Sequence, residues 1–414
     1  MREIVFVRHA ESQANRDGYW NGRTDGPLSE EGRLSLDPLG KRLANRAFDR
    51  VISSPLERTR ATAESFADSY EIDERFIEID LGEWEGRTLD EIKDQDGKNL
   101  EAAISRRDIP MGRTGESLDK AARRAIEAVD GLADSMDDGD SVAVVTHGGF
   151  LQAILHRHLA GSGRRVHAFT LNTGITRLVF QFGRPRLASF NDVGHLGPKS
   201  PLVESNLSAG WPVMALIRHG RTKANLERRW QGHGDWDLDE FGLMQAEALG
   251  EWYGRIGRVY SSPLKRAMTT AKHVARNGVV TVDRLKEIHM GRWEGLTFEE
   301  IVERWPGVME KIYRDGVDLK RGETGESWGE LTARFSAAVS DLELDESEQT
   351  AVVAHGGAIR SYISSLTRTR DTYSESLATP QNTSITHVAL TDRGPEILDY
   401  SVSTHLEGLD PEDG

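Results

Sequence analysis

The chain contains no cysteine, which excludes disulfide cross-links, thiol nucleophiles and thiolate metal sites together. It has no apolar run approaching the roughly 20 residues of a membrane span. It also lacks a basic stripe. Its 414 residues carry 52 Lys and Arg against 67 Asp and Glu, a net charge of −15, the wrong sign for a partner that presents a phosphate backbone. Neither nucleic acid nor a membrane is an expected partner. The opening MREIVFVRHA runs as a buried-type strand straight into a charged motif, leaving no room for a signal peptide and pointing to a cytoplasmic protein. Thirteen histidines are present, but no pair stands at a dedicated ligand spacing, so neither a metal nor another cofactor is expected. Hydrophobic residues make up 37%, enough for ordinary cores, and the length suits two domains of about 200 residues each.

What is there is present twice. Val5–Asn15, VFVRHAESQAN, returns as ALIRHGRTKAN at Ala215–Asn225. VISSPLERTRATA returns as VYSSPLKRAMTTA, FIEIDLGEWEG as LKEIHMGRWEG, VVTHGG as VVAHGG and NTGIT as NTSIT. The offset is nearly constant: 219 − 9 = 210, 266 − 58 = 208, 287 − 78 = 209, 355 − 147 = 208 and 405 − 195 = 210. A period this long is a duplicated domain, since solenoid repeats are far shorter. The expected organisation is a domain over 1–197, a Pro/Ser/Gly-rich linker over 198–210, a second domain over 211–406 and an acidic tail over 407–414.

Within each copy, strand-like and helix-like segments alternate. Ile4–Val7, Val51–Ile52 and Val142–Val145 read as strands. Leu28–Ala47 reads as a helix with Ser29 near its N-cap and an interruption at Pro38, and Leu56–Ala67 reads as a second helix. This alternation predicts an α/β fold, with reactive groups at the carboxyl ends of the strands.

Two histidines per copy, His9 with His147 and His219 with His355, sit where buried strands run into loops. Each first histidine follows an arginine. A phosphomonoester needs its oxygens neutralised before a nucleophile can approach phosphorus, and Arg offers a planar fork of donors that stays charged. Arg8 with Arg58, and Arg218 with Arg266, fit that task. A neutral imidazole can form a phosphoramidate once its other nitrogen donates to something that fixes the tautomer. A second His can donate to a phosphoryl oxygen, and a carboxylic acid can protonate the leaving alkoxide.

These residues resemble the histidine phosphatase superfamily, in its phosphoglycerate-mutase-like branch, and the resemblance covers nearly the whole chain twice. The family's Arg-His-Gly-Glu-(Ser/Thr)-x-x-Asn signature stands here as Arg8-His9-Ala10-Glu11-Ser12-Gln13-Ala14-Asn15 and as Arg218-His219-Gly220-Arg221-Thr222-Lys223-Ala224-Asn225. The resemblance implies tandem three-layer α/β/α domains, each with a small helical cap insertion. It implies nucleophiles at His9 and His219, proton donors at Glu78 and Glu287, and second histidines at His147 and His355. It gives phosphate contacts to Arg8, Arg58, Asn15 and Asn21, and to Arg218, Arg266, Asn225 and Gln231. Glu85 and Glu294, beside Trp84 and Trp293, read as structural. Ala10 replaces the usual Gly, Arg221 replaces the Glu11 of the first copy, and Asp237 stands where Pro27 occurs; none removes a core residue.

The function implied is a metal-independent phosphomonoesterase that hydrolyses small phosphorylated metabolites through phosphohistidine at two sites. Two alternatives stand beside it. One is a mutase-type phosphotransferase, against which the insertion between donor and second His is short (147 − 78 = 69 and 355 − 287 = 68). The other is one catalytic copy with a binding or regulatory second copy. The domains could pair within the chain or between chains. The caps differ: the first offers Arg106, Arg107 and Arg113, the second Trp305, Met309, Tyr313 and Arg321, so the second site is expected to take a more apolar leaving group. The glycine pairs after His147 and His355 fit either a phosphate cradle or a tight turn. His195 and His405 read as structural, and Arg123-Arg124 as a solvated helix face.

Overall fold

A computed structural model describes residues 1–106, 108–159, 170–181, 183–367 and 376–409. Arg107, the side chain of Arg106 and most of the acidic tail lie outside the described residues. The chain forms two compact units that meet in sequence at Leu196 and Gly197.

Each unit is built on a six-stranded mixed sheet. In the first, the strands lie in the order Glu71–Ile72, Arg50–Ser53, Ser141–Thr146, Glu3–Arg8, Ile175–Gln181 and Arg184–Asp192. The first four are parallel and the last two antiparallel. The second repeats this order with Val280–Thr281, Arg258–Ser261, Thr350–Ala354, Val213–Arg218, Ile385–Thr391 and Gly394–Ile397. The central strands are unbroken apolar runs because the sheet is covered on both faces. Val5 and Val7 pack with Leu39, Leu43 and Ala63 from two helices. Phe6, pointing the other way, lies 6.5 Å from the ring of Phe150 on a third helix, Gly148–Leu159. Register then decides what is neighbour to what: Arg8 pairs with Thr146 and Arg218 with Ala354. His9 and His147, and likewise His219 and His355, therefore leave the sheet side by side at the carboxyl ends of adjacent strands.

The helix expected over Leu28–Ala47 is split. Ser29 accepts from the Gly32 N–H and caps Glu30–Leu34, the chain breaks at Ser35, and Leu36–Leu43 resumes with Pro38 in its first turn. A first turn has no intrahelical N–H to lose, so proline is accepted there. The second copy has Ala248 at this place, and Glu240–Tyr253 runs without interruption. A further difference concerns the segment read as a linker. Pro201–Ser208 is a helix, and its Val203 is buried against Val213, Ala389 and Leu398 of the second unit. At eight residues it is too short for its period to stand out from the Ser- and Pro-rich sequence around it.

The cap of the first unit comprises Leu89–Arg106, bent at Asp96, and Leu118–Asp134. That of the second comprises Phe298–Arg304, Val308–Tyr313 and Trp328–Ser340. Trp84 anchors the first among Ile92, Leu100 and Ala103, and Trp293 anchors the second among Ile301, Met309 and Ile312. The side chains expected to make the second pocket apolar go to this interior instead: Met309 is in the cap's core, with Trp305 and Tyr313 packed against it. Arg321 is also buried, while Arg113 is exposed and paired with Asp96 at 2.9 Å. The two short helices Phe298–Arg304 and Val308–Tyr313 need a core of their own, and these residues supply it.

Candidate active site

The first histidine of each unit has its tautomer fixed by its own backbone. The Nδ1 of His9 lies 2.7 Å from the carbonyl oxygen of Ala10, and that of His219 lies 2.7 Å from the carbonyl of Gly220. A carbonyl can only accept, so Nδ1 carries the proton and Nε2 keeps a lone pair. In the second unit the Nε of Arg266 donates to His219 Nε2 at 3.2 Å, which fits that assignment. Burial pushes both imidazoles well below the usual histidine range, and the two arginines beside each add to the effect.

The loop carrying this ring is tied to the helix carrying the second arginine. The N–H of Ala10 donates to Thr62 Oγ1 at 2.9 Å, and Thr62 donates back to the Arg58 carbonyl at 2.7 Å. Gly220, Thr270 and Arg266 repeat the arrangement at 3.0 and 2.8 Å. Arg58 is 1% exposed. Its guanidinium is held by the carbonyls of Gly22 and Thr24 at 2.7 and 3.0 Å, and that of Arg266 by Gly232 and Gly234 at 2.9 and 2.7 Å. Arg8 donates through Nη1 to the Thr170 carbonyl and Arg218 to that of Pro380. The Nε of each is buried without a protein partner, an available donor at the floor of the site. Burial lowers Arg218 and Arg266 to about 10, which leaves them charged at neutral pH.

The second histidines stand against the first, with ring centroids 5.2 Å apart in each unit. Their Nε2 atoms pair with serine hydroxyls, His147 with Ser54 at 2.7 Å and His355 with Ser262 at 2.8 Å, and both Nδ1 atoms are buried and unpartnered. Burial again comes first in holding both well below the usual value, followed by the neighbouring histidine and arginines.

The glycine pairs lie in tight strand-to-helix turns, with only His147 between Ser141–Thr146 and Gly148–Leu159 and only His355 between Thr350–Ala354 and Gly356–Thr367, and they have a further use. Glu78 sets its carboxylate on the N-terminus of Gly148–Leu159, accepting from the N–H groups of Gly149 at 2.9 Å and Phe150 at 3.0 Å. Glu287 accepts from Gly357 at 2.9 Å. A Cβ on Gly149 would come within 2.6 Å of that carboxylate, and one on Gly148 within 3.2 Å of Arg8 Nε. The pair leaves room for an acid and an arginine. Glu85 accepts from the N–H groups of Arg23 and Thr24, both at 2.7 Å, and Glu294 from that of His233 at 2.8 Å. They brace the loop that holds the second arginine.

Several contributors escaped the sequence reading. Asn172 donates to the His9 carbonyl at 2.9 Å, and Asn382 to that of His219 at 2.8 Å. The following threonines, Thr173 and Thr383, have φ of 57° and 58°, a strained conformation for a β-branched residue. Their N–H groups donate to the Arg8 and Arg218 carbonyls, both at 3.0 Å. His195 and His405 pair with those threonine hydroxyls at 3.0 and 2.9 Å. The repeated Asn-Thr dipeptide and the repeated late histidine were the available signals. Arg124, read as part of a solvated face, instead donates to the carbonyls of Arg75 and Ile77 at 3.0 and 2.9 Å and to Glu116 at 2.9 Å. Arg334 does the same in the second unit with Arg284, Lys286 and Glu326. Each fixes the segment that carries the acid.

The auxiliary contacts are less alike. Asn15 and Asn225 cap short helices through Oδ1, which also lies 3.4 Å from the Asn172 or Asn382 amide. Asn21 donates to the Thr24 carbonyl at 3.0 Å, whereas Gln231 is buried with an unpartnered Oε1. Among the described residues no three His, Asp or Glu gather as a metal site, and no helix is long and apolar enough to cross a membrane.

This geometry agrees with what the chain is similar to. The family model for the histidine phosphatase superfamily (branch 1) matches residues 4–193 and again 214–403. A metal-independent phosphoserine phosphatase of Arabidopsis thaliana is 35% identical over 205 residues, covering 47% of this chain and 84% of that protein. Phosphoglycerate mutase-like protein 4 of the same plant is 35% identical over 156 residues, 36% of this chain and 68% of its own length. A glucosyl-3-phosphoglycerate phosphatase of Mycobacterium tuberculosis is 37% identical over 160 residues, 35% of this chain and 71% of that protein. Matched along both of its halves, the chain belongs to the histidine phosphatase superfamily.

Proposed function

We propose that this phosphatase hydrolyses small phosphorylated metabolites at two sites, one per unit, through a phosphohistidine on His9 and on His219. The observation that carries the reading is the pair of Nδ1-to-carbonyl hydrogen bonds, which leave each Nε2 unprotonated beside two buried arginines.

Arg8 and Arg58 take the non-bridging oxygens of the phosphoryl group, and Nε2 of His9 attacks phosphorus in line with the ester oxygen. The N–P bond forms as the P–O bond breaks, and the carboxyl of Glu78 gives its proton to the departing alkoxide. The Ser54 hydroxyl, donating into His147 Nε2, leaves the Nδ1 proton of that ring to meet a phosphoryl oxygen. Water then enters where the alcohol left. The Glu78 carboxylate takes its proton, the new P–O bond forms, and the N–P bond breaks to return the neutral imidazole and inorganic phosphate. Arg218, Arg266, His219, Glu287 and His355 perform the same steps in the second unit. Asn15 and Asn225 act by shaping the nucleophile loop, Asn21 by holding the arginine loop, and Gln231 by contacting substrate.

The test is the full-length chain carrying His9→Ala, His219→Ala or both. Each single variant is expected to keep turnover on small phosphomonoesters and the double variant to lose it. A single variant as inactive as the double on every substrate would refute two independent sites.

A further inference from the structure

The loop that holds the second arginine passes between two carbonyls, and the residue between them changes character from one unit to the other. In the first unit it is Arg23, flanked by Gly22 and Thr24, whose carbonyls hold Arg58. Its guanidinium reaches Glu116 at 3.4 Å and Asp80 at 3.9 Å, and the Arg23 and Asp80 side chains are 41% and 35% exposed. In the second unit the same place is His233. It donates through Nε2 to the backbone carbonyl of Glu287 at 2.9 Å, directly behind the candidate acid. Where the first unit has Asp80, the second has His289, whose ring lies 4.9 Å from that of His233 at an angle of 40°. Three residues beyond His233, Trp236 replaces Gly26, and its indole lies against Gly234, whose carbonyl holds Arg266.

An ionic pair and a glycine have thus become three aromatic rings, in a segment that touches both the phosphate clamp and the acid. His233 bonds the backbone of the acid itself, so this segment borders the space of a leaving group whose oxygen that acid serves. Charged groups on it are matched by Arg23 and Asp80, while a flat ring is matched by offset or edge contacts with His233, His289 and Trp236. Burial holds His233 below its usual value, so the rim of the second site presents a neutral ring there at physiological pH.

We propose that the second site takes phosphomonoesters whose leaving group presents an aromatic face, while the first takes those whose leaving group carries charge. This rests on the two-site reading above and gives each site its substrate class.

Benzyl phosphate and 3-phosphoglycerate, both esters of alkyl alcohols, are suitable probes. For each, kcat/KM is measured in full-length His9→Ala, which retains the second site, and in His219→Ala, which retains the first. The benzyl-to-phosphoglycerate ratio is expected to be about tenfold or more higher in His9→Ala, a span that differential pocket contacts supply. Taking the ratio within each variant cancels any difference in the fraction of folded enzyme. Adding His233→Arg, His289→Asp and Trp236→Gly to His9→Ala is expected to bring the ratio towards that of the first site. Ratios equal within a factor of two would overturn this proposal and leave two-site catalysis standing. Inactivity of a single-site variant on both probes while it still turns over 4-nitrophenyl phosphate would overturn this proposal alone, and inactivity on every phosphomonoester would overturn both readings.

Discussion

In the first unit Arg58 rests on the carbonyls of Gly22 and Thr24, and in the second Arg266 rests on those of Gly232 and Gly234. Between these carbonyls stands Arg23 in one unit and His233 in the other. The carbonyls belong to the backbone and survive any exchange of side chain, so the clamp stays the same while the side chain between them changes. Away from the site the same contrast recurs in the sheet. Arg177, opposite Val5, pairs with Glu3, which also binds Arg46. His387, at the matching register opposite Ala215, is buried between Asp399 and the hydroxyl of Tyr253, both at 2.6 Å. One unit satisfies this strand with ion pairs and the other with a ring, a carboxylate and a phenol. Two copies of one fold diverge freely where a side chain has only to be satisfied, and hardly at all where several backbone groups converge on a reacting atom.

The largest effect tests whether the conserved end works in both units. His9→Ala with His219→Ala is expected to lower turnover at least ~10³-fold, because the covalent route is lost at both sites. A double variant that stays active would move the nucleophile elsewhere. Next, Glu78→Gln or Glu287→Gln, each with the other site silenced, is expected to cost about 10²- to 10⁴-fold on an alkyl phosphate. Measured as kcat/KM, which reports the phosphorylation step and not the later hydrolysis that the same glutamate assists, the loss on 4-nitrophenyl phosphate, whose leaving group departs without a proton, is expected to be much smaller. Equal losses on both esters would deny the acid role.

The pH dependence of stability should be shared by the two units. His9, His147, His219 and His355 are held well below their ordinary value by burial and then by neighbouring cations. The unfolded chain takes up protons near pH 6.5 and the folded chain does not, so acid favours unfolding. Stability is expected to fall as pH drops below about 6.5, by as much as ~1.4 kcal/mol per pH unit for each of these residues. Denaturant midpoints at pH 7.5 and 5.5 measure it, and midpoints that rise on acidification would contradict it.

The smallest effect concerns positioning. Asn172→Ala and Asn382→Ala, each with the other site silenced, are expected to lower kcat about tenfold with KM little changed, since misplacing the nucleophile costs rate before binding. A fall in melting temperature with kcat intact would assign Asn172 and Asn382 a purely structural part.

Arg8, His9, Arg58, Glu78, His147 and their counterparts in the second copy could be singled out because each lies in a motif that returns at a nearly constant offset and matches the pattern of the family it resembles. The α/β fold was legible from strand runs as apolar as Ile4–Val7. The partners of those residues were not. Which group fixes the His9 tautomer depends on the turn at Ala10, and the purpose of Gly149 depends on a carboxylate 71 residues away in sequence. Arg124 looks like any surface arginine on a helix until the segment from Arg75 to Glu78 is laid against it. The cap misled for a related reason. Trp305, Met309 and Tyr313 read as pocket residues, but the two short helices Phe298–Arg304 and Val308–Tyr313 consume them as a core. The aromatic rings on the segments beside the second arginine and the acid are instead His233, Trp236 and His289, in segments singled out from sequence for Gln231, Asp237 and Glu287.

The central claim is that both units pass through phosphohistidine, and trapping that species tests it most directly. The full-length chain, mixed with a ³²P-labelled phosphomonoester and quenched in alkali, would be digested and the labelled peptides identified. Label is expected on the peptide containing His9 and on that containing His219, each removed only by its own His→Ala substitution. Label confined to one of them, or absent from both while substrate turns over, would contradict the account.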